Sequence, residues 1–374
     1  MTALPIAPVR TDHPPKRQPD RGPKVWIPKR VVVTPAALEF PHGRAMVERA
    51  AALGAEVIPL KSNRLTGLSD ADKRHQYVRA KSTLAVVTAS PAKRRLQPIA
   101  PSADWRMDLA EGCPAHCQYC YLAGSLSGPP VTRAYANVEE IFAGLSDYVG
   151  RGTITSKSAA RAHEGTTFEA SCYTDPLGIE HLTGSLAEAI RFFGRWNADA
   201  QLRWTTKYDG VDQLLDLPHA RSTRVRFSVN AEPITRKLEG GTAALPARLL
   251  AMGRMAMAGY PVGLTIAPIM PIEAWRTEYA NLLDHAAAAL EGVRDLDLTV
   301  ELITHRFTPG SKEVLTDWYP GSSLEMDESV RAKKTTKFGS LKYVYPAETM
   351  RELRAWFERE IPERLPTARV LYWT

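Results

Sequence analysis

The stretch EGCPAHCQYCYLAG, residues 111–124, decides how the rest of this 374-residue chain is read. It holds Cys113, Cys117 and Cys120 in a C-x3-C-x2-C spacing. A loop of that length wraps three thiolates around one cubic [4Fe–4S] cluster, for which thiolate is the preferred protein ligand. A competing reading is a zinc site that adds His116 or Cys172 to the three. Structural zinc more often takes its ligands from two separated pairs, and no second pair stands in this sequence. Gly112, Pro114 and Gly124 around the cysteines mark a loop rather than core filling.

Three protein ligands cap three irons and leave a fourth open to the amino and carboxylate groups of S-adenosylmethionine. An electron from the reduced cluster then breaks a carbon–sulfur bond of the sulfonium and releases a 5′-deoxyadenosyl radical. Tyr119, just before the third cysteine, stands where an aromatic packs near the adenine in loops that this one resembles, those of the radical S-adenosylmethionine (radical SAM) enzymes.

Beyond the loop, strands and helices alternate. Apolar strands are expected at TFEASC (167–172), QLRWTTK (201–207), RVRFSVN (224–230), VGLTIAPI (262–269) and LDLTVELI (296–303). Between them, VEEIFAGLSDYV, IEHLTGSLAEAIRFFGRW, PARLLAMGRMAMAG and WRTEYANLLDHAAAALEG carry apolar residues at helical spacing. That alternation implies βαβ units and a parallel sheet with right-handed crossovers. The strand count favours an α/β fold with a partial, TIM-like (β/α)6 barrel of the radical SAM type. Cys172, Lys207, Ser228 and Asn230 fall at C-terminal strand ends, where parallel sheets bind ligands.

Upstream, RVVVTP, a helical stretch over 36–53, AEVIPL and STLAVVTAS suggest an N-terminal αβ cap. The segment 61–81 reads as polar and irregular. After Ile303 turn residues dominate, and TKFGSLKYVYP suggests a β-hairpin presenting Lys333, Lys334, Lys337 and Lys342. AETMRELRAWFEREI reads as a closing helix and ARVLYW as a last strand. The expected divisions are a disordered, basic, Pro-rich tail over 1–23, a cap over 24–104, a barrel over 105–305 and an extension over 306–374.

Composition narrows the class. No run of 18 apolar residues is present, so a membrane span is not expected. The N-terminus lacks the apolar core of a signal peptide, which makes a cytoplasmic protein the expectation. Three of the four cysteines are clustered, which argues against a disulfide framework. The net charge of +7 and isoelectric point near 9.2 suit a polyanionic partner only weakly, and mean hydropathy is −0.25.

With GCPAHCQYCYL, FEASCYTDPLGIEHLT, RWTTKYDGVDQLLD, TRVRFSVN, AGYPVGLTIAPI, LTVELITHRFT and LKYVYP in order, the chain from about Lys24 onward resembles the spore photoproduct lyases. These are radical SAM enzymes that repair a methylene-bridged thymine dimer in DNA. The resemblance implies a [4Fe–4S] cluster, S-adenosylmethionine, a DNA partner carrying a thymine lesion, a reductant such as flavodoxin or ferredoxin, and a monomer. It places Cys172 as the hydrogen-donating cysteine, and Tyr121 and Tyr119 as a relay that returns a hydrogen atom towards the adenosyl group. Tyr119, Thr174, Asp175, Lys207, Ser228 and Asn230 fall on cofactor-contacting positions. Each also has an ordinary structural reading: a lone cysteine is often a small buried hydrophobe, and Ser or Asn often cap turns.

The hairpin departs from the family. Where an Arg-Tyr pair is usual beside the flipped lesion, Lys337 and Phe338 stand, after Thr335 and Thr336 in place of tryptophan and glycine. Lysine attracts phosphate without the bidentate fork of arginine, and a phenyl ring wedges without a hydroxyl. An alternative is therefore a family member acting on a different nucleoside, peptide or small molecule.

Overall fold

The computed structural model of this chain describes residues 25–125, 128–335, 339 and 341–374. Its centre is an eight-stranded sheet. The order is Arg369–Trp373, Leu298–Thr304, Val262–Ile269, Thr223–Val229, Ala200–Thr206, Thr166–Glu169, Ala103–Arg106 and Gln97–Ile99. All neighbours pair in parallel except the last two strands, which are antiparallel. Six consecutive parallel strands, from Ala103–Arg106 to Leu298–Thr304, make the expected partial barrel, and the C-terminal strand adds a seventh. The buried runs of these strands are nearly continuous, as both faces of a parallel sheet require.

Helices Ser185–Arg195, Leu245–Met257, Trp275–Ala289 and Ala347–Arg364 cover the outside as crossovers. The connection from Ala200–Thr206 to Thr223–Val229 carries only a 3-10 turn, Asp212–Leu214. The apolar run over 179–196 forms two helices because Gly184 takes a left-handed φ of 67° between them. Pro41 likewise splits the expected helix over 36–53 into Pro35–Glu39 and Pro41–Ala52.

A second sheet has the order Glu56–Pro59, Arg30–Val33, Thr83–Val87, Thr132–Tyr135 and Ala110–Glu111. Its last two strands come from beyond residue 104, on either side of the cysteine loop. Strand alternation divides its side chains. Val31, Val33, Leu84 and Val86 pack with Met46 and Ala50, while Val32, Ala85, Val87 and Tyr135 join the core of the barrel. The two sheets thus share one hydrophobic core.

Two helices lie where turns and irregular chain were expected. Lys73–Lys81 starts at Asp72, whose carboxylate accepts from the amides of Arg74 and His75 at 2.8 and 2.9 Å. Pro309–Trp318 starts at Thr308, in a capping box with Ser311. The first buries only Tyr77, Ala80 and Lys81, and the second Ser311 and Leu315, so neither shows a strong apolar period. Ala332–Thr335 and Leu341–Val344 pair antiparallel as the expected hairpin, with Lys334 opposite Lys342. Lys337 and Phe338 lie outside the described residues. No helix among the described residues is long and apolar enough to cross a membrane.

Candidate active site

The cysteine loop is pinned on both sides. Gly112 has a φ of 80°, and a side-chain carbon there would meet the Val131 carbonyl oxygen at 2.2 Å, so only glycine fits. His116–Cys117 pairs antiparallel with Glu239–Gly240, and the Gln118 amide donates to the Leu238 carbonyl at 2.8 Å. Lys81, itself buried, donates to the carbonyls of Cys113, at 2.5 Å, and of Ala115.

Cys117 is buried, Cys113 and Cys120 are half-buried, and all three are free thiols. Burial pushes Cys113 up to about 12 and Cys117 further still, while Lys81 and Lys207 respectively pull them down. Bound metal would supply the positive charge that lets such buried thiols ionise. Among the described residues no three His, Cys, Asp or Glu side chains are placed to hold one metal ion. A cubane spreads its thiolates over separate irons, whereas a mononuclear zinc site gathers them on one ion. His116 instead bonds the Tyr77 hydroxyl through Nδ1 at 2.8 Å.

Behind the loop lies a closed charge cluster. Glu239 takes Lys207 Nζ at 2.9 Å, an Arg248 ion pair at 2.6 Å and the Tyr119 hydroxyl. Burial alone would raise the Glu239 carboxyl, but Lys207 and Arg248 outweigh it and hold it down at about 2. Burial and Glu239 keep the Tyr119 phenol protonated, and the Lys207 ammonium lies 5.5 Å from the Tyr119 ring centre.

Towards the barrel mouth the Tyr121 hydroxyl donates to the Cys172 carbonyl, although Tyr121 is 62% exposed. Cys172 stands in a loop three residues past its strand, which ends at Glu169 and not at the expected Cys172. Burial pushes its thiol well up, Asp108 adds to this and Arg106 opposes it. The Asp175 carboxylate accepts from Thr206 Oγ1 and the Lys207 amide at 2.8 and 2.7 Å, and burial raises it to about 6. Thr174 Oγ1 is buried without a hydrogen-bond partner, a polar atom free for a bound group. The Ser228 carbonyl accepts from Arg248 at 2.9 Å. The Asn230 carboxamide already bonds the Pro268 carbonyl and the Tyr279 hydroxyl, at 2.7 and 2.9 Å.

Sequence reasoning missed Glu239, Arg248 and Asp108, none of which sits in a recognisable motif. It also missed a buried network inside the barrel. Arg226 and Arg203 both reach Glu301, at 2.7 Å, and Arg226 also pairs with Glu169. The alternating arginines of RVRF and the Arg of QLRW were its sequence signal, since strand period places them on one face.

At the end of Leu298–Thr304 the chain runs through Arg306 to Phe307, which bridges to Tyr343 of the hairpin. Lys342 feels both Arg306 and Lys334 as like charges, and among the described residues none of the three makes an ion pair.

The sequence model of the family described as spore photoproduct lyase matches residues 26–374. A relative named spore photoproduct lyase from Geobacillus sp. (strain Y412MC61) is 40% identical, over 94% of this chain and 100% of its own. One of the same name from Bacillus subtilis (strain 168) is 37% identical, over 93% and 99%. A solved mutant spore photoproduct lyase with bound AdoMet and dinucleoside spore photoproduct superposes with a TM-score of 0.85. It is 38% identical, over 94% of this chain and 100% of that one. By its sequence over nearly its whole length, and by its fold, this chain belongs to the spore photoproduct lyase family.

Proposed function

We propose that this chain is a radical SAM lyase that splits spore photoproduct in DNA back to two thymines. The observation that carries the reading is the placement of Tyr121 against Cys172 at the barrel mouth, on the side where the cysteine loop also sits. The full-length match to lyases, one of them solved with the dinucleoside lesion, favours that lesion over another nucleoside, peptide or small molecule.

In this reading Cys113, Cys117 and Cys120 hold the [4Fe–4S] cluster, and Thr174, Asp175, Lys207, Ser228, Asn230 and Tyr119 surround S-adenosylmethionine. When bound, cluster and cofactor would supply a 5′-deoxyadenosyl radical, the hydrogen-atom acceptor needed at C6 of the 3′-side thymine for scission of the bridging bond. Cys172 then gives its S–H hydrogen to the thymine radical that scission leaves. Tyr121 returns a hydrogen atom from its O–H to the sulfur, Tyr119 gives its own to Tyr121, and Tyr119 would regain one from the 5′-deoxyadenosine methyl group, which closes the cycle. Both steps need neutral S–H and O–H groups, and burial favours these forms at Cys172 and Tyr119. Asn230 would act mainly through its fixed place, because its carboxamide is engaged by Pro268 and Tyr279.

The basic hairpin, with Lys334, Lys342 and nearby Arg306, suits DNA phosphates, and Lys337 and Phe338 are the proposed contacts to the lesion. The same reading takes the enzyme as a cytoplasmic monomer reduced by flavodoxin or ferredoxin. The test is anaerobic reconstitution, followed by dithionite, S-adenosylmethionine and the dinucleoside lesion. Formation of thymidine dinucleotide, diverted to another product by Cys172→Ala, is the expected result. Cleavage to 5′-deoxyadenosine with no repair would overturn it.

A further inference from the structure

The loop that carries Cys172 is fastened to one strand end. Thr166–Glu169 and Ala200–Thr206 pair in parallel up to Glu169 opposite Arg203, and the Ala170 amide adds one more bond, to the Arg203 carbonyl at 2.8 Å. Beyond that point side chains continue the ladder. The Thr205 amide donates to Ser171 Oγ at 2.9 Å. Thr206 Oγ1 and the Lys207 amide donate to the Asp175 carboxylate at 2.8 and 2.7 Å. Thr205, Thr206 and Lys207 thus hold both ends of the loop 171–175, and Cys172 follows directly on its first anchor.

That anchor has a support of its own. Glu169 is buried, and its Oε1 accepts from the Ser171 hydroxyl and, at 3.3 Å, from the Ser171 amide. Its Oε2 accepts from Arg226 and, at 3.0 Å, from Ser102 Oγ. Arg226 also donates to Glu301 at 2.7 Å, so the charge network inside the barrel stands behind Ser171. On the other side the Tyr121 hydroxyl donates to the Cys172 carbonyl.

We propose that Ser171, braced by Glu169, is a positioning residue that aims the Cys172 sulfur at the substrate radical. Hydrogen-atom transfer needs close approach: the S–H bond breaks as a C–H bond forms on the thymine radical, and the sulfur keeps the unpaired electron. A small displacement of the sulfur therefore slows quenching steeply. A radical that is not quenched meets another fate, so the aim of the sulfur is recorded in which product forms.

The inference rests on reading Cys172 as the donor, and two measurements let either fail alone. Ser171→Ala removes the hydroxyl that joins Glu169 to the Thr205 amide, and Ser171→Thr keeps one. In anaerobic turnover of the dinucleoside lesion, the ratio of thymidine dinucleotide to diverted product should fall about tenfold in Ser171→Ala. Ser171→Thr should bring it back towards the wild type, and the KM for the lesion should hold in both. A mere loss of folded enzyme lowers both products together and leaves their ratio where it was. An unchanged ratio in Ser171→Ala, or a Ser171→Thr ratio as low as that of alanine, overturns the proposal. Hydrogen exchange on the holoenzyme without lesion reads the hold itself. The peptide spanning 170–175 should exchange faster in Ser171→Ala than in the wild type, and equal exchange overturns the proposal whether or not the wild type repairs. A wild type that repairs nothing refutes the donor reading instead.

Discussion

The cysteine loop and the C-terminal hairpin serve the same end of the barrel, and their charges are arranged in opposite ways. Around the loop, Lys207 and Arg248 converge on Glu239, and Lys81 is spent on the carbonyls of Cys113 and Ala115. On the hairpin, Lys334 faces Lys342 across the strands with Arg306 nearby, and no carboxylate pairs with them among the described residues. A like-charged cross-strand pair costs stability in the free protein. Internally paired charge is neutralised within the fold, whereas unpaired positive charge remains to attract a polyanion.

The largest effect should come from breaking the internal side. Glu239→Gln leaves two buried cations without a counter-charge and should cost about 3–5 kcal/mol in urea unfolding. If the cluster were a solvated surface patch, the loss would stay below about 1 kcal/mol. The same measurement on Lys334→Ala with Lys342→Ala should show a change within about 0.5 kcal/mol, or a slight gain.

The hairpin pair instead should register in DNA binding. Removing both lysines should flatten the dependence of log Kd on log salt by about 1 to 2 units, one for each lost phosphate contact. An unchanged slope would mean that the basic face does not meet the backbone.

A pH experiment sharpens the boundary between the two regions. His305 is buried at the end of Leu298–Thr304, and Arg331 lies against its Nδ1 at 3.1 Å, which makes that nitrogen the acceptor. Burial, and then Arg331, lower its pKa from 6.5 to about 3. The folded state therefore binds fewer protons than the unfolded one. The contribution of His305 is complete above about pH 6.5 and is lost as pH falls towards 3. The stability gap between wild type and His305→Gln should accordingly narrow between pH 7 and 4 in thermal melts. A constant gap would show that the imidazole does not titrate between these states.

A smaller effect than the loss of Glu239 concerns the helix that leads from the barrel end towards the hairpin. Thr308→Ala removes its capping box and should cost about 1 kcal/mol with no change in DNA affinity. A loss of affinity would tie this helix to the hairpin surface.

Much of this was legible in the chain. The alternation of apolar strands and helical runs announced a parallel sheet, and Gly112, Pro114 and Gly124 around Cys113, Cys117 and Cys120 announced a loop there. Two helices escaped notice because each buries two or three side chains, too few to set a period. The strand before Cys172 was drawn too long because Ala170 is as apolar as the strand, while the ladder stops at Glu169. Asp108, Glu239 and Arg248 were invisible for a different reason: an isolated charged residue has no pattern until its partners are known.

Local order and short spacing were thus determined by the sequence itself. Periodicity follows from the geometry of a strand or helix, and a three-cysteine loop closes on itself within a few residues. Tertiary structure alone decided which distant charges meet. Glu239, on the short strand paired with the cysteine loop, finds Lys207 at the end of Ala200–Thr206 and Arg248 on the helix Leu245–Met257, elements that only the fold brings together. It also decided that the first sheet and the barrel share a core, since that depends on which face of each strand turns inward.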